Sequence, residues 1–124
     1  MSMSLATVAQ GAHMQQPMFR IFKGMGGRFY YWLLSADGEI ILHSEGFASK
    51  TDCEAQIGSV RENASVRERY ETRNASDGEY SFVLIAEDGK PIGMGEVYTT
   101  KRARDRGIVA VQAAAPEAPV EDLT

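Results

Sequence analysis

Residues 28–50 read RFYYWLLSADGEIILHSEGFASK, and residues 79–101 read EYSFVLIAEDGKPIGMGEVYTTK. The two stretches are one pattern written twice, at an offset of 51 residues that carries Asp37-Gly38 to Asp88-Gly89 without a gap. The same offset takes Gly27 to Gly78, Leu33 to Leu84, Ile41 to Ile92, Glu45 to Glu96 and Lys50 to Lys101. Beyond the quoted stretches it takes Phe19 to Tyr70, Ile57 to Ile108, Val60 to Val111 and Ala64 to Ala115. The coincidences fall at turns, apolar positions and helix starts, as a duplicated fold requires.

Each copy has the same local grammar. Phe19–Phe22 is a short strand, and Gly24, Gly26 and Gly27 make a turn. Arg28–Ala36 is a second strand, rich in aromatic residues. Asp37-Gly38 is a hairpin turn, where glycine accepts positive φ, and Glu39–Ser44 returns as a third strand. Ser49 followed by Asp52 is close to a capping box. Cys53, Ile57, Val60 and Ala64 recur at helical spacing and make the apolar stripe of the helix that follows. The second copy repeats this as Tyr70–Arg73, Glu79–Ala86, Lys90–Gly95 and a helix from Lys101 to Ala114. The expected fold is therefore α+β: two β-β-β-α repeats related by pseudo-twofold symmetry, with helices packed on an antiparallel sheet. A half of about 50 residues buries little core alone, so the two should share one.

The expected organisation is a flexible arm over residues 1–17, a single domain over 18–115 (repeats 18–66 and 69–115) and an acidic, proline-containing tail over 116–124. Within the arm, Gly11-Ala12-His13-Met14 matches in composition the remnant an expression vector leaves. The 124 residues carry 13 Lys+Arg against 17 Asp+Glu, a net charge of −4. Three of the acids, Glu117, Glu121 and Asp122, lie in the tail, so the rest of the chain is nearly neutral. No global field draws in nucleic acid, and such binding would need a local patch. Cys53 is the single cysteine, which excludes an intramolecular disulfide and a four-cysteine zinc site. One thiol and no secretory signal are what a cytoplasmic protein would show. No apolar run approaches a membrane span.

Four strings carry a family resemblance. They are Gly38-Glu39-x-Ile41-Leu42-x-Ser44-Glu45-x-Phe47-x-Ser49-Lys50, Gly58-Ser59-Val60-Arg61-x-Asn63, Arg69-Tyr70-Glu71 and Val120-x-Asp122-x-Thr124. The chain resembles, over residues 18–124, the YegP-like family of small, mostly bacterial proteins of uncharacterised function. The resemblance implies a tandem-repeat α+β fold, which single-repeat relatives would build by dimerising. It implies no activity, substrate or catalytic residue. The chain departs from the family pattern at Gly95, usually Ser, in the basic run Lys101-Arg102-Ala103-Arg104, and in its long N-terminal arm.

Catalytic signals are weak. His43 has no nucleophile motif beside it and reads as a structural histidine on a strand. Cys53 reads as a buried, inert thiol, and only the fold could pair it with His43. Glu45 and Glu96 recur at equivalent positions, so twofold symmetry could pair them for acid–base work, but each equally suits a turn or the cap of the next helix. The glycine-rich segment 24–27 precedes a strand and lacks a following Lys-Ser/Thr, so it reads as a turn and not as a phosphate loop. The expectation is a protein that is not an enzyme, with no metal and no cofactor.

Two features suggest binding. Lys101, Arg102, Arg104 and Arg106 crowd the start of the second helix, where the helix dipole is already positive, and a bound anion would relieve the repulsion. A solvated basic face is the plainer alternative. Strand alternation puts Phe29, Tyr31 and Leu33 on one face and Tyr30, Trp32 and Leu34 on the other. Either helices cover the second face, as is usual, or Tyr30 and Trp32 are exposed enough to stack bases. The leading expectation is a binding or interaction module. Its ligand would be a phosphate-bearing molecule or single-stranded nucleic acid, held by Lys101, Arg102, Arg104, Arg106, Tyr30 and Trp32. It would be a monomer carrying its own pseudo-dimer. The alternatives are a structural protein that self-associates through strand edges and a hydrolase-type enzyme using Glu45, Glu96 or His43.

Overall fold

The computed structural model of the chain describes residues 16–74 and 77–124. Most of the expected arm, Gly11–Met14 included, lies outside the described residues. Nine elements follow in order: β1 (Met18–Lys23), β2 (Phe29–Leu34), β3 (Ile40–His43), α1 (Lys50–Asn63), β4 (Tyr70–Asn74), β5 (Tyr80–Ile85), β6 (Pro91–Met94), α2 (Lys101–Ala114) and β7 (Val120–Asp122). The strands form one sheet in the order β4-β5-β6-β3-β2-β1-β7. This is the α+β fold of two β-β-β-α repeats.

The duplication is visible bond by bond. Ser35 N–H donates to Glu39 O at 2.8 Å, and Ala86 N–H to Lys90 O at 2.8 Å. Gly38 and Gly89 both take φ +86°, where a β-carbon would be strained. Phe29 bridges Phe47 as Tyr80 bridges Tyr98. The Ser49 hydroxyl caps α1 by accepting from Asp52 N–H, and Thr100 caps α2 by accepting from Ala103 N–H. At the centre, antiparallel β3 and β6 pair with His43 opposite Met94. Those two are repeat counterparts, so the pseudo-twofold axis passes between them.

Both helices lie on one face of the sheet. Each packs on the second strand of its own repeat and on the third strand of the other, α1 on β2 and β6, α2 on β5 and β3. The core they enclose joins Phe19, Tyr31, Leu33 and Leu42 to Tyr70, Phe82 and Leu84, with Ile57, Val60, Ile108 and Val111 from the helices. Each large side chain so buried contributes about 1.5–3 kcal/mol of transfer free energy. Tyr31 also ties the halves together, its hydroxyl donating to Ile92 O at 2.6 Å. Its counterpart Phe82 has no hydroxyl, and its ring fills the space that a Cβ at residue 95 would need. In the first repeat Ser44 Oγ accepts from Tyr31 N–H at 2.9 Å. Glycine at 95 is thus the residue that admits the Phe82 ring.

Two expectations change. The sheet is mixed, because β7 runs parallel to β1. And the stretch 116–124, read as a tail, carries that strand. After α2 a 3-10 turn, Ala115–Glu117, redirects the chain, and Ala118 enters the core at 3% exposure. Phe19 N–H then donates to Pro119 O at 2.8 Å and Leu123 N–H to Ile21 O at 2.9 Å. Ion pairs hold the strand from both sides, Arg20–Glu121 at 2.7 Å and Lys50–Asp122 at 2.8 Å.

Candidate functional site

With both helices on one side, the other face of the sheet has no helical cover among the described residues. The alternation that buries Tyr31 and Leu33 turns Arg28, Tyr30 and Trp32 onto this open face. The β1–β2 register sets Phe22 opposite Tyr30 and Arg20 opposite Trp32. Phe22 joins the two β2 aromatics, stacked on Tyr30 with ring centroids 5.6 Å apart and tilted against Trp32 at 4.6 Å. All three rings are half-buried. Arg28 and Tyr30 both lie over Gly46, where an added Cβ would meet Arg28 Cδ at 2.9 Å and Tyr30 Oη at 3.0 Å. The result is a strip of three aromatic rings with Arg28 beside one end and Arg20 beside the other. The second repeat has Ser81 and Val83 in place of Tyr30 and Trp32, so the strip occurs once.

Three acids of this face or its rim have a cationic or protonatable partner. Arg20 holds Glu121, Arg73 lies 3.3 Å from Glu71, and His43 Nδ1 lies 3.1 Å from Glu96 Oε2. The His43–Glu96 contact crosses between repeats. Its symmetry mate would join Met94 to Glu45, and methionine cannot make it.

The basic start of α2 is divided. Lys101, Arg102 and Arg106 are exposed and line a shallow hollow with Asp105 and Val109. Arg104, expected among the ligand-binding cations, is 2% exposed. Its guanidinium donates to Asp105 Oδ1 at 2.9 Å, Asn74 Oδ1 at 2.9 Å and Arg73 O at 3.4 Å, and it lies 5.8 Å from the centre of the Tyr80 ring. Its Nε and Nη1 donors are committed within the fold. Tyr30 and Trp32 face away from the helical layer that carries Lys101, Arg102 and Arg106. The six residues expected to form one site therefore divide into an aromatic group and a basic group on opposite sides of the sheet, with Arg104 in neither.

Of the residues weighed for catalysis, His43 and Glu96 meet, while Glu45 and Cys53 stand apart from them. Continuing the β3–β6 register puts Glu45 and Glu96 on opposite sides of the pseudo-twofold axis, roughly 13 Å apart along the strands. Glu45 borders a small cavity of about 70 Å³ lined also by Ser44, Phe47, Gln56, Ile92 and Met94, and neither His43 nor Glu96 reaches it. Cys53 is fully buried on the helical side, so the sheet separates it from His43. Burial pushes its thiol up to about 11, which leaves it protonated and unreactive. The glycine segment forms a 3-10 turn, Met25–Gly27. Among the described residues, no group of three or more His, Cys, Asp or Glu is placed to hold a metal ion, and no helix is long and apolar enough to cross a membrane.

Sequence reasoning passed over Phe22 and Arg28. Their signal was available, since pairing the first two strands across the glycine turn sets Phe22 against Tyr30, and alternation sets Arg28 on the Tyr30 face.

The profile of a family described as "Domain of unknown function (DUF1508)" matches twice, over residues 26–71 and 75–122. The chain is 40% identical over 104 residues to a UPF0339 protein of Bordetella pertussis, covering 84% of this chain and 94% of that one. It is 39% identical over 106 residues to UPF0339 protein YegP of Escherichia coli K12, covering 86% and 96%. The solution NMR structure of YegP from E. coli, a protein of unknown function, superposes with a TM-score of 0.83 at 38% identity, over 88% of this chain and 94% of that chain. The solution NMR structure of a UPF0339 protein from Shewanella oneidensis superposes equally well, with a TM-score of 0.83 at 29% identity, over 88% of this chain and 92% of that chain. The second match ends at Asp122, the last residue of β7. With two copies of the domain, this fold and these relatives, the chain belongs to the DUF1508 family of YegP-like proteins.

Proposed function

We propose that this protein is a non-enzymatic binding module of the cytoplasm, monomeric, whose ligand is single-stranded nucleic acid lying across the open face of the sheet. The observation that carries the reading is the strip Phe22, Tyr30 and Trp32, left without helical cover among the described residues and flanked by Arg28. Aromatic side chains on an open sheet accept bases of any sequence, and neighbouring arginines meet the phosphates. Glu71, Glu96 and Glu121 each have a partner, which lowers their repulsion of a polyanion. Lys101, Arg102 and Arg106 lie on the far side and take no part.

Trp32 is the only tryptophan, so its fluorescence reports on this face alone. Titration with a mixed-sequence single-stranded oligonucleotide at low salt is expected to quench it, and the quenching is expected to fade as salt rises. Tyr30→Ala is expected to weaken binding about tenfold, the scale of one lost base stack. Arg28→Glu is expected to weaken binding and flatten its salt dependence. Unchanged Trp32 emission, or amide shifts confined to Lys101–Arg106, overturns the reading.

A further inference from the structure

We propose that the outer edge of β4 is a strand-addition site for an extended segment of another protein, one that sets a basic residue against Glu71 and a carboxylate against Lys101. The inference comes from the chain's own use of the equivalent edge. The pseudo-twofold carries β1 to β4 and Lys50 to Lys101. Along β1 lies β7, parallel, with Glu121 opposite Arg20 and Asp122 opposite Ile21. Lys50 reaches over from the first turn of α1 and donates to Asp122 Oδ2 at 2.8 Å and Thr124 Oγ1 at 3.3 Å. Along β4 there is no such strand among the described residues, and Lys101 has no ion-pair partner among them. Arg104, in the same first turns of α2, bonds Arg73 O and Asn74 Oδ1 at the end of β4. The start of α2 therefore lies beside that edge, as the start of α1 lies beside β7.

The edge also states which strand it would take. Ile21 accepts from Leu123 N–H, so its counterpart Thr72 turns its N–H and C=O outward, ready to pair. Tyr70 does not, because its N–H is bonded to Arg67 O in the 3-10 turn Arg67–Arg69. An incoming strand thus pairs from Thr72 onward. Where β1 offers Arg20 to Glu121, β4 offers Glu71. A second copy of Val120–Asp122 would put Glu121 against Glu71, and like charges directly opposite are destabilising. The occupant is therefore not the Val120–Asp122 strand of a second copy. It is a segment of the form apolar, basic, acidic.

The test uses the full chain, labelled for NMR, and a synthetic peptide Ala-Pro-Val-Lys-Asp-Leu-Thr, which is residues 118–124 with Lys in place of Glu121. Amides of Thr72–Asn74 and Lys101 are expected to shift. The unaltered peptide with Glu is expected to bind about fivefold more weakly. Lys101→Glu is expected to weaken binding by a similar factor and to recover it with a peptide whose Asp is Lys. Thr72→Pro removes an outward N–H without touching the β4–β5 ladder, and is expected to abolish binding. Shifts confined to β1 and β7, equal binding by wild type and Lys101→Glu, or no shift with either peptide overturns the proposal. Trp32 lies on a face, not on this edge, so these outcomes are independent of the nucleic-acid reading.

Discussion

Position 104 and position 53 are the same place in the two repeats, yet one holds an arginine and the other a cysteine. In α1 the place belongs to the shared core, and Cys53 fills it at 0% exposure. In α2 the guanidinium is kept inside by the Asp105 carboxylate, the Asn74 amide oxygen and the Tyr80 ring. A buried charge persists only with such partners, and removing it leaves them unsatisfied. Arg104→Ala is expected to lower stability by about 2–3 kcal/mol, whereas Arg102→Ala stays within about 0.5 kcal/mol. Urea unfolding of the two variants checks this, and equal midpoints would contradict it. The distinction was legible in the sequence, since the repeat offset aligns Arg104 with the core stripe of the first helix. It was obscured because four cations in six residues read first as one charged patch. Gly95 was legible only as an oddity, because what it makes room for is the rotamer of Phe82.

At the scale of elements, the hairpins, caps and helices follow closely from local chemistry. Asp-Gly at the turns, Ser49 and Thr100 at the helix starts and the aromatic, apolar run of β2 each favour one local structure. β7 does not follow, for a physical reason. Three residues, Val120–Asp122, are too few for a period, and their side chains are mostly exposed. What makes them a strand is tertiary: the β1 edge, Arg20 and Lys50. Asp122 shows the dependence. The hydrogen bond from Lys50, helped by Thr124, holds its carboxyl well below the usual aspartate range. A folded-state value below the unfolded one contributes stability that is present above about pH 3.9 and lost as pH falls through the folded value. The melting temperature of wild type should therefore exceed that of Asp122→Asn at pH 6, with the gap closing as pH falls below 4. A gap that stays constant over that range would show that the Lys50–Asp122 pair does not hold the strand.

For the whole molecule, the two halves are one cooperative unit because each helix packs on a strand of the other half. The tyrosines offer a way to see this. Burial raises the phenol of Tyr31, in β2, and that of Tyr70, in β4, well above the ordinary tyrosine value. A raised folded-state value contributes stability that is complete below about pH 10, the unfolded value, and is lost as pH rises through the folded one. The chain should therefore unfold in alkali, driven by ionisation of phenols that cannot ionise in place. Tyr31 belongs to the first repeat and Tyr70 opens the second, so their tyrosinate absorbance should appear in a single step coincident with loss of circular dichroism. Two separated steps would mean that the repeats unfold independently and that the shared core is not what stabilises them. Tyr31→Phe sharpens the test. Phe82 already fills the equivalent place, so the ring is tolerated, and the variant should lose about 1 kcal/mol at neutral pH with the hydrogen bond to Ile92. In alkali it should unfold at a higher pH than wild type relative to that lower starting stability, since one of the two strongly shifted phenols is gone.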